Sequence, residues 1–135
     1  MSRTLINEYI ARFGAERDVG LEPLNAEGFT EIARGSATVR VNVLDEHGVL
    51  LLLSPVMPVP EQNTEDFYRR LLELSFLATS DAAFAIDKKT DMVYLRVLRR
   101  LEGLDYDEFE DLLHTIATVA DAWDDKLRAQ FGHQS

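Results

Sequence analysis

Between Ala37 and Leu44 the apolar residues Val39, Val41 and Val43 alternate with Thr38, Arg40 and Asn42. This period of two constrains the chain most, because it makes a strand with one face to bury and one to leave wet. Asp45-Glu46-His47-Gly48 follows as a hairpin turn. The return stretch Val49 to Leu53 is apolar throughout, the pattern of a strand covered on both faces, and Pro55, Pro58 and Pro60 are expected to end it. Upstream, Gly28 to Ile32 is a weaker strand candidate, with only Phe29 and Ile32 large and apolar. A second pair of strands is expected over Ala82–Ile86 and Met92–Leu98, joined by the polar tip Asp87 to Asp91. In the last strand Val93, Leu95 and Val97 face one way, and Tyr94, Arg96 and Leu98 the other.

Three stretches carry the helical period instead. Leu5, Ile6, Tyr9, Ile10 and Phe13 form one stripe near the start, with Gly14 placed to close the helix in a left-handed cap. A second helix should begin near Thr64, where Asn63 or Thr64 caps the first amides and the acidic Glu65 and Asp66 complement the helix dipole. Phe67, Leu71, Leu74, Leu77 and Ala78 line one side of it, while Leu72 and Phe76 fall outside that stripe. A helix apolar around so much of its circumference is either buried in its own domain or shared with another subunit. The third helix opens on Asp105 and Glu108, spaced as a capping box, and keeps its period through Phe109, Leu112, Leu113, Ile116, Ala120, Trp123 and Leu127 until Gly132.

The order α-β-β-β-α-β-β-α describes an α+β fold, an antiparallel sheet of about five strands with three helices, since no strand-helix alternation recurs. With 135 residues and no Pro- or Ser-rich linker, residues 1–135 read as one domain. A domain of this size buries only roughly two-thirds of its unfolded surface, so pairing with a second copy would help it.

Charge and chemistry narrow the function. The formal charge of -10 repels phosphate backbones and anionic lipids, which argues against nucleic-acid and membrane partners. From Asp105 to Phe131, eight acidic residues stand against Lys126 and Arg128, and this surplus reads as a solvated helix face. With no cysteine, disulfides, thiolate nucleophiles and cysteine-ligated metals are excluded. The first eight residues lack the apolar stretch of a signal peptide, and no apolar run approaches the roughly 20 residues that span a bilayer, so a cytoplasmic protein is expected. His47, His114 and His133 have no metal-ligand spacing. No serine lies in a G-x-S-x-G elbow and no Gly-rich phosphate loop is present. Asp121, Asp124 and Asp125 are spread around a regular helix, whereas calcium sites wrap the ion in a loop. Nothing nominates a catalytic pair, a metal site or a cofactor. What remains is apolar surface and two sheet edges, each a template for a strand from another chain, so a non-catalytic polypeptide-binding protein is expected.

The second half of the chain resembles the CesT-like family of class I type III secretion chaperones and the related YbjN-like domains. The likeness lies in the helix Phe67 to Leu77, the strand Ala82 to Asp87, the strand Val93 to Leu101, and an acidic amphipathic helix ending near Trp123. It covers roughly residues 60 to 130 well, and earlier residues only by element order and acidic charge. Where the family commonly has Asn near the end of the middle helix, this chain has Ser75. The resemblance implies a homodimer that holds the N-terminal region of a secreted effector in extended form for export, without nucleotide. It also implies a dimer seam at Phe67, Leu71, Leu74 and Phe84, and client contacts at Ile6, Tyr9, Ile10, Phe29, Val41 and Leu51. The alternative it leaves is a YbjN-like regulatory or protein-interaction domain of the same fold, unrelated to secretion.

Overall fold

A computed structural model describes residues 2–132. The elements run α1 (Ser2–Glu16), β1 (Phe29–Arg34), β2 (Ala37–Leu44), β3 (Val49–Pro58), α2 (Thr64–Leu77), β4 (Ala83–Asp87), β5 (Met92–Arg100) and α3 (Tyr106–Phe131). This is the expected α+β order. The five strands form one antiparallel sheet in the order β1-β2-β3-β5-β4. Thus β5 lies beside β3, and β4 becomes one edge while β1 is the other.

The alternation of Val39, Val41 and Val43 sends these side chains to the inward face, where Leu50 and Leu52 of β3 and Val93, Leu95 and Val97 of β5 join them, all buried. α3 lies across β2, β3 and β5, α1 packs against α3 and β2, and α2 sits by β4. α2 also meets the end of α3 where Phe67 packs edge-on to Phe131 at 5.1 Å. Phe13, Phe67 and Phe109, one from each helix, are the largest fully buried side chains. The capping box of α3 forms as read from the sequence: Asp105 accepts from the Glu108 N–H at 2.8 Å, and Glu108 accepts from the Asp105 N–H at 3.3 Å. Among the described residues, no helix is long and apolar enough to cross a membrane.

Several sequence readings change. α1 does not stop at Gly14 but runs to Glu16, and the left-handed residue is Asp18, at φ 56°. Gly14 is required for a different reason, since the chain turns back over it so closely that a Cβ would lie 2.7 Å from the Val19 carbonyl oxygen. β3 does not end at Pro55. It continues to Pro58 with a register irregularity between Pro55 and Met57. Past Leu53 it is paired with β5 alone, so the missing proline N–H breaks no ladder on the β2 side. Nor is Val49–Leu53 covered on both faces: Leu50 and Leu52 are buried, whereas Val49, Leu51 and Leu53 remain partly open. At the start of α2, Asn63 adopts a left-handed conformation, φ 58°, and its side chain caps nothing. Leu77 and Ala78, assigned to the buried stripe of α2, are exposed.

The carboxylates Asp121 and Asp124 of α3 hold the β1–β2 turn. The Ser36 N–H donates to Asp121 at 3.2 Å, and the Ser36 hydroxyl lies within reach of both Asp121 and Asp124. These bonds hold the Asp121 carboxyl below the usual carboxylate range. Asp125 points to solvent and pairs with Arg128.

α1 and α3 are clasped by a mixed polar and aromatic cluster. The Tyr106 hydroxyl donates to Glu16 at 2.6 Å, Arg17 pairs with Glu110 at 2.9 Å, and the Tyr9 hydroxyl donates to the Leu104 carbonyl at 2.9 Å. Burial, followed by its bond to Glu16, pushes the Tyr106 phenol from 10.0 up to about 12. A phenol raised in the folded state stabilises the fold fully below its unfolded value, and that contribution is lost as pH rises from 10.0 towards about 12. Tyr106→Phe should therefore lessen the fall in the urea midpoint between pH 8 and pH 11.5. Gly14→Ala should destabilise by about 1–3 kcal/mol in urea unfolding, although the same change at an unobstructed helical glycine would stabilise.

Candidate functional site

The chemically versatile side chains are scattered. His47 is exposed in the β2–β3 turn, His114 is exposed on α3, and His133 lies outside the described residues. Among the described residues, no three His, Cys, Asp or Glu side chains are grouped so as to hold a metal ion.

The features that stand out are apolar and exposed. α2 turns Phe67, Leu71 and Leu74 inward, but its period leaves Leu72 (73% exposed) and Phe76 (89%) on the opposite side; Leu77 (79%), the last residue of the helix, and Tyr68 are open as well. Next to them β4 presents Ile86, also exposed, and half-buried Phe84. Tyr68, Leu71, Leu72, Phe84, Ala85 and Ile86 line a depression of about 240 Å³. The link between helix and strand is Ser75, whose hydroxyl accepts the Phe84 N–H at 3.1 Å. A short side chain with an acceptor oxygen is what this geometry needs, and it explains why a serine can stand where the resembled family commonly has asparagine.

The second surface is the outward face of the sheet. Antiparallel register places Phe29, Asn42, Leu51 and Leu98 in one row, and Glu31, Arg40, Leu53, Arg96 and Ala83 in the next. Val49, Leu51 and Leu53 thus form an aliphatic spine along β3, with Arg40 on one flank and Arg96 and Arg100 on the other. Arg40 is paired with Glu31 at 3.2 Å and sits over the Phe29 ring at 4.2 Å.

The third feature is the edge strand β1. Its Phe29 carbonyl, pointing away from β2, accepts from the Asn25 N–H at 2.9 Å, which closes one end of the edge. The Thr30 hydroxyl reaches the Glu22 carbonyl at 3.1 Å, so the 21–25 segment is tied to the start of β1. Farther along, Glu31 to Ala33 carries no such backbone partner among the described residues.

Against this geometry the residues named from sequence divide. Phe67, Leu71 and Leu74 are buried in the core of one copy, though Leu71 also borders the α2–β4 depression, and Phe84 lies half-buried beside it. Ile6, Ile10 and Val41 are likewise sunk in the core; Tyr9 is partly open, packed against Tyr106 and Phe109. Phe29 and Leu51 lie in the same row of the outward sheet face. Tyr68, Leu72, Phe76, Leu77, Ile86 and Leu98 were not named as site residues. For Leu72 and Phe76 the signal was present, since both fall off the buried stripe. For Ile86 it was not, because a short apolar strand does not reveal which of its sides lies open.

Ser75→Ala should cost roughly 1 kcal/mol, and hydrogen exchange should show the Phe84 amide losing protection while amides in β2 and β3 keep theirs.

Comparison with known proteins adds the following. The family model of the Tir chaperone protein (CesT) family matches residues 9–124. No curated protein matches the chain in sequence. A chain in the crystal structure of the ExsC–ExsE complex superposes with a TM-score of 0.76 at 22% identity, covering 93% of this chain and 95% of that one. One from the HopA1–SchA chaperone–effector complex gives 0.70 at 13%, covering 93% and 97%. One from the Yersinia pestis type III secretion chaperone SycH in complex with a stable fragment of YscM2 gives 0.59 at 18%, covering 86% and 97%. At these identities the likeness is one of fold.

Proposed function

Because the chain belongs to the Tir chaperone protein (CesT) family, we propose that it is a non-catalytic chaperone for a type III secretion effector, working as a homodimer that holds the effector's N-terminal region extended. The observation that carries this reading is the apolar surface a single copy leaves uncovered. Leu72, Phe76 and Leu77 are more than two-thirds exposed, and Leu72 borders the edge strand β4 across the depression it shares with Phe84 and Ile86. Soluble proteins rarely leave so continuous a patch to water unless another chain covers it. A second copy related by a two-fold axis would set this patch against itself and dry both halves at once. In this proposal the seam runs through Tyr68, Leu72, Phe76 and Ile86 around Leu71 and Phe84, while Phe67 and Leu74 support it from within.

The client would then use what the seam does not. The open edge at Glu31 to Ala33 can accept an added strand, and the outward sheet face near Phe29 and Leu51 can receive apolar side chains. Both surfaces suit a chain held extended, because an extended segment brings its own unpaired backbone groups to the edge. The relatives in the comparison include proteins solved with an effector or with a stable fragment of another protein bound, which supports a polypeptide as the ligand class. A single domain spanning residues 1–135 and a cytoplasmic location fit the same role.

Light scattering should give twice the chain mass for the protein, and co-expression should keep an effector soluble. Phe76→Asp, at a side chain 89% exposed in one copy, should yield a folded monomer, because it sets a charge in a seam that must dry, at a cost of several kcal/mol. A native chain that runs as a monomer and captures no effector would overturn the proposal.

A further inference from the structure

We propose that the outward face of the sheet selects client segments in which apolar residues alternate with acidic ones; the inference rests on the reading of this chain as a polypeptide-binding chaperone and names the chemistry of what it binds. The aliphatic spine Val49, Leu51 and Leu53 runs down the middle strand of this face and is only partly covered. Its flanks are basic. Arg40 lies opposite Leu53 on β2, Arg96 opposite Leu53 on β5, and Arg100 opposite Val49. Arg40 is already paired with Glu31, but among the described residues no carboxylate lies within ion-pair distance of Arg96 or Arg100. The other acid on this face is Asp87, at the far end of β4.

A chain of formal charge -10 has carboxylates in excess, yet two of its arginines stand without one beside a greasy strip. At physiological salt the reach of a charge is about 8 Å, so a segment lying on β3 responds to Arg96 and Arg100 more than to the distant acids of α3. The period of the face also matches the ligand. Side chains of an extended peptide alternate in direction, so every second, apolar residue can enter the spine, while the intervening acidic ones lie on the far side of the peptide backbone, where a carboxylate that bends back meets a long, flexible arginine reaching up from beside the spine. Phosphate backbones would find the same arginines, but they have nothing to place on the aliphatic strip, and the rest of the protein repels them.

The test uses the full chain and two fluorescein-labelled peptides of about ten residues, one alternating leucine with glutamate and the other leucine with lysine. Fluorescence anisotropy should show the glutamate peptide binding about tenfold more tightly than the lysine peptide, and the difference should shrink as salt is raised. In the doubly reversed protein, Arg96→Glu with Arg100→Glu, the preference should invert. Both arginines lie outside the buried core, and circular dichroism checks that the variant is folded. The inference is overturned by any of four results: the lysine peptide binds native protein as tightly, the reversed variant keeps the original preference, a single-stranded oligonucleotide displaces the glutamate peptide, or Arg96→Glu changes the mass in solution, which would mean that a second copy covers this face. If neither peptide binds but the chain still keeps an effector soluble, the sheet-face inference falls and the chaperone reading stands. If effector capture fails too, both fall.

Discussion

The packing of α3 across the inward face of β2, β3 and β5 is the contact on which the rest of the molecule depends. It dries Val39, Val41, Val43, Leu50, Leu52, Leu95 and Val97 against Phe109, Leu112, Leu113 and Ile116, and burial of that apolar area is the main source of stability for a domain of this size. The capping box at Asp105 starts the helix where the sheet needs it, and the Ser36 turn, held by Asp121 and Asp124, ties its later turns to the β1–β2 end. Once α3 occupies one face, α1 and α2 can only take the flanks. The other face of the sheet stays open, although its middle strand is as aliphatic outside as inside.

α2 carries two sets of apolar residues, and the fold of one copy buries only one of them. Phe67, Leu71 and Leu74 join the core, while Leu72 and Phe76 are left in water on the far side and Leu77 is open at the helix end. No shift of register could bury both groups, because they lie on opposite sides of one cylinder and the chain offers a single layer to pack against. Ser75 fixes how α2 sits by holding the Phe84 amide, so that the exposed helix face and strand β4 make one surface instead of two.

The charge is distributed with comparable economy. Most of the acid lies on helices and loops, where it is solvated, and some of it is structural, as Asp121 at the Ser36 turn and Glu16 at the Tyr106 hydroxyl show. The outward sheet face instead carries Arg40, Arg96 and Arg100 around an aliphatic strip. A strongly negative protein can therefore stay soluble and repel unrelated polyanions, and still offer a local basic surface whose influence ends within a Debye length.

Local pattern was enough to read the element order, the antiparallel sheet, the capping box of α3 and the inward-facing valines, because each depends on residues two to four positions apart. The family likeness was legible for the same reason, being a matter of apolar spacing. Local pattern could not show that Gly14 lies inside α1 under the Val19 carbonyl, which depends on how the chain turns back after the helix, or that β3 runs through Pro55, which depends on pairing with the distant strand β5. It could not show either that Val49–Leu53 is dry on one side only. Continuous apolar residues state that two faces are to be covered, without stating whose side chains cover them. Only the tertiary structure decided that, by spending all three helices on one face of the sheet and on its β4 edge. It thereby placed Ile6, Ile10 and Val41 in the core and left Leu72 and Phe76 exposed and the β3 spine partly open.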